Sequence, residues 1–215
     1  MVTGERTSAG RQPEEQEFLP GLDVTPILLR EMKQSDREVV DQLWRTRFDQ
    51  STEDVDWVFD RLQNPELHIR GVIATLDTEI VGFGVAFPSR GEVIEQQIYP
   101  EYITGLPEIV GMFHIGVVDE EHESEGIGRR LFQDRLNYFQ RLGVNSYIGT
   151  AWLRPNGHSS AALFEDFGFS SVGEFENFYS EDRDCPECGP GERCHCTARI
   201  YVYPDPAAES IEVTM

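Results

Sequence analysis

The chain has 215 residues, 39% of them hydrophobic, which is enough to bury the core of one domain. Its formal net charge is −21, from 39 acidic and 18 basic residues, and only Lys33 among the basic ones is a lysine. Binding of nucleic acid needs a concentrated basic surface, so this charge argues against nucleic acid as a partner. An excess of carboxylates with almost no lysine predicts a halophilic source, because molar salt screens such charges over about 3 Å. An ordinary acidic cytosolic protein is the alternative.

The sequence leads us to expect no secretion signal and no membrane-spanning segment. The amino terminus lacks an apolar signal segment, and the longest apolar run, Ile80–Phe87, is too short to cross a bilayer. We therefore expect a cytoplasmic protein with no membrane partner. Residues 1–22 predict a flexible acidic tail, residues 23–204 one domain, and residues 205–215 a C-terminal tail. The sequence leaves open whether the chain forms a homodimer.

The first half of the domain predicts one strand, two helices and a hairpin. Ser35 offers a helix N-cap with a carboxylate three positions on, and the hairpin turns at Asp77 and Thr78 between two branched apolar runs. The predicted elements are a strand over 25–32, a helix after Ser35, a helix over 53–62, strands over 68–76 and 79–87, and turns over 88–106.

The second half alternates strands with helices. The predicted elements are a strand over 109–118, a helix over 126–142, a strand over 144–153, a short helix ending at Gly168, and final strands over 172–179 and 197–203. The crossover from strand through helix to strand indicates a right-handed parallel pair. The sequence thus predicts an α+β fold whose mixed seven-stranded sheet has helices on both faces.

A glycine turn, Gly126-Ile-Gly128, lies between an apolar strand and a helix. Glycine lets the backbone approach an anion closely, and the free amides of a helix N terminus point at it. A second segment, from Asn156 to Phe169, reads as a short apolar-faced helix closed by a glycine. Together the two segments resemble the R/QxxGxG loop and the NxxAxxLYExxGF helix of the GNAT superfamily of N-acetyltransferases, over roughly residues 25–203.

That resemblance implies the GNAT fold, in which the two central parallel strands splay apart and acetyl-CoA enters the gap. The backbone of Gly116, Val117 and Val118 would pair with the pantetheine amides. The amides that would bind the diphosphate belong to Glu123, Ser124, Glu125, Gly126, Ile127 and Gly128, with Arg129 or Arg130 adding charge and Asn156 contacting the cofactor from the next turn. The chain departs from the family at Glu123, where Arg or Gln is usual, and Asn156 lies one residue further from the aromatic position than the family spacing.

The resemblance also implies an acyltransferase that moves an acetyl group directly to a primary amine, with no covalent nucleophile. Such a transfer needs a neutral amine, a polarised carbonyl and a proton for the departing thiolate. The backbone N–H of Val117 or Val118 would hold the carbonyl oxygen.

The proton donor is where the sequence leaves the family. The tyrosine that many relatives use is Phe164 here, so Tyr179 is the candidate catalytic acid, with Tyr147 as an alternative. His114 is the candidate base, acting through water. Carboxylate alternatives to it are Glu92 and Glu95. Purely structural roles for Tyr179 and His114, as a packed aromatic and an ordinary strand residue, remain open.

All four cysteines, Cys185, Cys188, Cys194 and Cys196, fall within twelve residues. A CxxC pair followed by a CxC pair resembles the knuckle of zinc ribbons and rubredoxins, in which amide N–H groups point at the sulfurs. Four thiolates predict a structural Zn²⁺ with no open coordination position, and His195 is a possible replacement ligand. Two disulfides or free thiols are the alternatives. We expect a zinc-knuckle insertion over residues 181–197 that stabilises the last hairpin and shapes the acceptor pocket.

The sequence therefore predicts an N-acetyltransferase that uses acetyl-CoA and a primary amine of a small molecule or peptide. A non-catalytic acyl-CoA-binding or zinc-knuckle interaction protein is the alternative, because the usual tyrosine is missing at Phe164. The acceptor itself cannot be read from the sequence, since the substrate-facing loops at 45–65, 88–107 and 180–196 carry no recognisable motif.

Overall fold

A computed structural model describes residues 26–48, 55–99, 102–154, 159–179, 185–189 and 191–204, together with the backbone of residues 212–213. The strands are β1 (Leu28–Glu31), β2 (Arg70–Leu76), β3 (Glu79–Arg90), β4 (Ile103–Thr104), β5 (Ile109–Val118), β6 (Tyr147–Leu153), β7 (Ser170–Phe175), β8 (Thr197–Tyr203) and β9 (Glu212–Val213). The helices are α1 (Arg37–Arg47), α2 (Asp56–Gln63), α3 (Gly91–Val93), α4 (Ile127–Arg141) and α5 (Ala161–Asp166), and a π-helix over Ile94–Ile98 continues α3.

Seven strands form one mixed sheet in the order β1-β2-β3-β5-β6-β8-β7. Neighbouring strands are antiparallel except for the central pair, β5 and β6, which is parallel. β4 and β9 pair separately as a two-stranded sheet. The predicted α+β fold, with its mixed seven-stranded sheet and central parallel pair, is therefore confirmed.

The hairpin of β2 and β3 forms where the sequence predicts it. Asp77 turns the chain with a left-handed backbone (φ 52°), which aspartate tolerates because its short side chain bonds to nearby backbone. The runs 71–75 and 81–87 are buried without a polar alternation. A strand reads this way when both of its faces are covered.

Helices cover both faces of the sheet. On one face α1 and α2 pack Val40, Leu43 and Phe59 against β3 and β5. On the other face α4 and α5 build an aromatic layer, in which Phe132 stacks on Phe113 with ring centroids 4.3 Å apart. Burial of each such side chain contributes about 1.5–3 kcal/mol, so the two layers hold the central strands between them.

The segment that the sequence predicts as turn-rich, residues 88–106, is more regular than expected. β3 continues to Arg90, and Tyr99 N–H donates to the Ile94 carbonyl (2.9 Å) in the five-residue spacing of a π-helix. Ile94 and Tyr99 are buried and anchor this segment to the sheet. Their spacing matches neither the period of a strand nor that of an α-helix, which is why the pattern was missed.

Of the two predicted tails, the structure describes only part of the C-terminal one. Residues 1–22 lie outside the described residues, whereas β9 falls inside the predicted C-terminal tail and pairs with β4. Among the helices of the described ranges, none has the length and apolar composition that a bilayer span requires.

Candidate functional site

The centre of the sheet opens between β5 and β6. The parallel ladder joins only three residue pairs, Gly111 with Tyr147, Met112 with Ile148, and Phe113 with Gly149. β5 runs on to Val118 and β6 to Leu153, yet beyond this point β5 is paired only with β3. The predicted splay is present, and it leaves one backbone edge of β5 for a ligand that can pair as a strand.

A β-bulge marks the start of the gap. Val85 of β3 pairs with Ile115, but Ala86 pairs with Phe113, so His114 is the extra residue of β5. A bulge bends its strand and changes the direction of side chains, and bulges are common beside active sites. His114 is consequently exposed in the middle of a strand whose other residues are mostly buried.

Arg135 of α4 lies buried against the bulged strand. Its Nη1 donates to the Ile115 carbonyl (2.5 Å) and its Nε to the Leu131 carbonyl (3.0 Å). Gly84 and Gly116, which face each other across β3 and β5, leave room for the guanidinium, since a Cβ on either would lie about 3 Å from it. Desolvation lowers the pKa of Arg135 to about 10. Sequence reasoning missed this residue, although an arginine one turn after Leu131 on an apolar helix face was a usable signal.

The loop between β5 and α4 presents backbone amides. Ser124 (φ 67°) and Gly126 (φ 81°) both adopt left-handed backbone, and such turns gather N–H groups into a concave anion site. Gly126 is the N-cap of α4, so no capping side chain covers the first-turn amides, and no acidic residue lies in that turn. A Cβ at Gly126 would meet no protein atom within 4 Å, which shows that this side of the loop is open.

The unusual Glu123 has a partner that is distant in sequence. Arg47, at the end of α1, forms ion pairs with both Glu120 and Glu123. Arg47 is only 8% exposed, and Arg154 Nη2 donates to its backbone carbonyl (2.7 Å). The carboxylate at the first position of the loop motif is thus neutralised by α1, which sequence reasoning did not predict.

Among the other residues predicted at the cofactor site, the structure describes Arg129, Ile127 and Glu125 but not Asn156. Arg129 is engaged by α5, because its Nη1 donates to Asp166 (2.7 Å) and its guanidinium lies over Phe167 (4.9 Å). Ile127 is buried and Glu125 is exposed. Asn156 lies outside the described residues.

An aromatic corner surrounds His114 on the face covered by α1 and α2. The imidazole contacts Trp57 of α2 and Phe87 of β3, with ring centroids 4.9 and 5.5 Å away. Arg61 of α2 lies over Phe87 at 4.8 Å. His114 keeps some exposure to solvent, but desolvation by the surrounding protein, followed by repulsion from Arg61, lowers its pKa to about 4. The imidazole is therefore neutral at neutral pH and can accept a proton or a hydrogen bond.

Phe164, at the position of the family's usual tyrosine, and the candidate acid Tyr179 have different surroundings. Phe164, in place of the usual catalytic tyrosine, is 4% exposed and stacks on Tyr201 with centroids 4.9 Å apart. Tyr179 is partly buried and contacts Trp152 (5.8 Å) in the apolar cluster that contains the cysteines.

A third aromatic residue, Tyr99, lies at the gap itself. The hydroxyl of buried Tyr99 bonds to Thr150 (2.5 Å), the first β6 residue past the ladder. Burial raises the pKa of Tyr99 to about 12.

The four cysteines converge at the ends of the last two strands of the sheet. Their Sγ atoms all lie within 4.8 Å of one another, with Cys185 and Cys188 at 3.5 and 3.7 Å from Cys196. No disulfide joins them. Thiolates bound to one zinc at about 2.3 Å in a tetrahedron lie about 3.8 Å apart, so the observed spacing fits a metal site.

Backbone donors point at these sulfurs, as in the knuckle that the sequence resembles. His195 N–H donates to Cys188 Sγ (3.4 Å). Burial acts to raise the pKa of Cys185, but the backbone N–H groups of Cys188 and Glu187 outweigh it and the pKa falls. His195 is exposed and its Nδ1 lies 3.1 Å from Asn177 Oδ1, so the described geometry favours the cysteines as the metal ligands.

The cysteine cluster contacts the elements of the gap. Trp152 of β6 packs against Cys185, Cys194 and Cys196, and Arg154 lies over its ring at 4.2 Å. Arg154 in turn bonds to the backbone of Arg47, the partner of Glu123. The cluster and the glycine loop are therefore linked through packed side chains.

A splayed parallel pair followed by a glycine loop and a helix is the arrangement of the GNAT fold. A sequence profile of the acetyltransferase (GNAT) family matches residues 36–169. The chain belongs to this family. No curated protein matches the chain by sequence.

Solved structures share the fold at low sequence identity. NAA60 of Arabidopsis thaliana, in complex with acetyl-CoA, has a TM-score of 0.60 and 18% identity, over 83% of this chain and 99% of that chain. A mosquito arylalkylamine N-acetyltransferase-like protein has a TM-score of 0.56 and 16% identity, over 82% and 99%. The ribosomal-protein-S18-alanine N-acetyltransferase of Escherichia coli has a TM-score of 0.54 and 13% identity, over 82% and 92%.

Proposed function

We propose that the protein transfers the acetyl group of acetyl-CoA to a primary amine by direct attack. The observation that carries this proposal is the gap between β5 and β6, which opens beside a glycine turn where the N terminus of α4 has no capping side chain. Family membership supports the same chemistry, and the similar structures include N-acetyltransferases and an acetyl-CoA complex.

The cofactor is expected to lie along the free edge of β5. The backbone of Gly116, Val117 and Val118 pairs with the pantetheine arm, and the amides from Glu123 to Gly128 bind the diphosphate. Arg47 offsets the charge of Glu120 and Glu123 beside that diphosphate. We infer that this ion pair replaces the Arg or Gln that usually begins the loop.

The chemistry needs an acceptor amine that has lost its proton. Neutral His114 accepts this proton through water, while the N–H of Val117 or Val118 stabilises the carbonyl oxygen as charge develops on it. Tyr179 donates the proton to the departing thiolate. Most of the rate enhancement then comes from holding the amine and the thioester in contact.

Two variants test these roles once an acceptor is found. Acetyl-CoA binding is measured by calorimetry at high salt, and release of free CoA is followed with a panel of amines. His114→Gln and Tyr179→Phe should each lower kcat about 100-fold and leave the affinity for acetyl-CoA unchanged, whereas Tyr203→Phe, a partly exposed tyrosine at the edge of the domain, should have no effect. Unaltered turnover in either test variant would remove that residue from the mechanism.

A non-catalytic acyl-CoA-binding protein is the second candidate. It is favoured by one observation, the absence of a hydroxyl at Phe164, which packs fully against Gly149 and Tyr201. Binding of acetyl-CoA without amine-dependent release of CoA across the panel would select this candidate.

We also propose that the cysteine cluster holds a structural Zn²⁺. The four sulfurs, their spacing and the N–H donor on Cys188 fit such an ion, which would supply the positive charge that buried thiolates need. With four cysteine ligands no position is left for substrate. Metal analysis of the purified protein should find one zinc per chain.

The proposals on source, compartment and partners rest on the composition of the chain. We propose a halophilic, cytoplasmic enzyme whose domain spans residues 23–204, with the zinc knuckle over 181–197, and without a nucleic-acid or membrane partner. Activity that rises with KCl up to molar concentrations would support this setting.

A further inference from the structure

Arg61 has an unusual position for a cation in so acidic a chain. It lies in the last turn of α2, and its guanidinium covers the ring of Phe87 at 4.8 Å. Its Nε is buried and makes no hydrogen bond, and among the described residues no carboxylate forms an ion pair with it. By contrast, Arg30, Arg45 and Arg70 each pair with an aspartate.

The surroundings of Arg61 are aromatic and lie beside the gap. Trp57 and Phe87 contact each other at 6.1 Å, and both contact His114, the bulged residue of β5 at which the pairing with β6 has just ended. Arg61 is close enough to His114 to repel its protonated form. The cation therefore lies near the region where an acceptor amine must approach the acetyl group, if the proposed function holds.

A guanidinium in this corner suits one kind of ligand. It presents paired N–H donors in a plane, which match the two oxygens of a carboxylate. The aromatic walls lower the local dielectric, so an ion pair formed there is stronger than one on the open surface. An acceptor with a second cation would be repelled instead.

We propose that Arg61 binds a carboxylate of the acceptor, so that the enzyme prefers amines that carry an acid group near the reacting nitrogen. This inference rests on the proposed acetyl transfer and narrows its substrate class. The carboxylate has two possible sources, the side chain of an acidic N-terminal residue of a peptide and the α-carboxylate of a free amino acid. Both present the same group to Arg61 at different distances from the amine.

The test compares acceptors that differ only in the acid group. One pair of peptides begins with Glu or Gln and carries an amidated C terminus, and a second pair is free glutamine and glutamine amide. Acetyl transfer to each is measured as kcat/KM at one fixed salt concentration. The unmodified protein should favour the acid member of at least one pair by about 10-fold or more, and the pair that responds identifies the source of the carboxylate.

Variants assign the preference to Arg61. Arg61→Gln should bring the ratio of the responding pair close to one, and Arg61→Lys should keep part of it, with the KM for acetyl-CoA unchanged in both. Arg141→Gln is the matched control, because Arg141 is also a basic residue in the last turn of a helix and is exposed on α4. It should leave the ratio as it is in the unmodified protein.

Three outcomes would overturn the inference, and they differ in what they say of the enzyme. Acetyl transfer without a preference in either pair, or with a preference that survives in folded Arg61→Gln protein, refutes carboxylate binding and leaves the acetyltransferase intact. Failure of every amine, with acetyl-CoA still bound, refutes the proposed function and this inference together.

Discussion

The glycine loop and the cysteine cluster both present backbone amides, but they are built in different ways. In the loop, one contiguous segment with Ser124 and Gly126 in left-handed backbone leads into α4. In the cluster, four cysteines from both sides of a loop are brought within 4.8 Å, and three of them are buried. We therefore expect the loop to form without a ligand and the cluster to need a cation for its stability.

Removal of the metal should have the largest effect. Chelation, or Cys194→Ser at a fully buried ligand, is expected to lower stability by about 3–5 kcal/mol and Tm by on the order of 10 °C. Metal content and thermal unfolding are measured on the same samples. His195→Gln is the control, since it should retain the zinc. Complete loss of metal with unchanged Tm and turnover would show that the ion does not stabilise this loop.

The ion pair of Arg47 tests whether the loop depends on a distant residue. Arg47→Gln removes the ion pairs to Glu120 and Glu123 beside the proposed diphosphate site, so acetyl-CoA affinity should fall about 30-fold, or about 2 kcal/mol. Calorimetry measures the change. Adding Glu123→Gln should recover part of the affinity, because one repelling carboxylate is gone. An unchanged dissociation constant in the single variant would separate Arg47 from cofactor binding.

Two glycines with similar left-handed backbone conformations allow the effect of backbone strain to be distinguished from an effect on ligand binding. Gly126 and Gly143 lie at the start and just past the end of α4, with φ of 81° and 73°, and a Cβ on either would meet no atom within 4 Å. Alanine at each position should lower stability by about 1–2 kcal/mol. Only Gly126→Ala should also weaken acetyl-CoA binding, since its methyl group lies on the open side of the anion site. Equal affinities in the two variants would contradict this placement of the cofactor.

The smallest expected effect is a change of stability with pH that depends on His114, which lies outside the glycine loop and the cysteine cluster. Its folded-state pKa of about 4 is below the ordinary value of 6.5, so the unfolded chain binds the proton more tightly. The stability linked to His114 is therefore complete above about pH 6.5 and is lost as pH falls through 4. Relative to the unmodified protein, His114→Gln should gain Tm between pH 7 and pH 4. A constant difference in Tm across this range would show that His114 has an ordinary pKa in the folded chain.

The sequence predicted the parts of the site that are local. The turn at Gly126 and Gly128, the apolar strand before it and the cysteine spacing each depend on residues that are near neighbours in the chain, and the structure shows all three. The π-helix over Ile94–Ile98 was missed because its five-residue spacing resembles no common period.

The contacts that adapt this chain to its departures from the family could not be predicted. Arg47 reaches Glu123 across 76 positions, and Arg135 reaches the Ile115 carbonyl because Gly84 and Gly116 happen to face each other. Arg61 and His114 come together only when α2 packs on a bulged β5. Each depends on how separate elements dock, about which the order of residues says little.

The sequence by itself determined the order of the main strands and helices, the glycine turn before α4 and the grouping of thiols, because apolar periodicity, glycine conformation and cysteine spacing act over short stretches of chain. Only the tertiary structure decided which residue of β5 bulges at the start of the gap, which arginine neutralises Glu123 and which cation lies over Phe87 beside His114. Those features arise from a β-bulge and from side chains that meet across the sheet. Their stabilising free energies come from packing between elements rather than from any one segment of the chain.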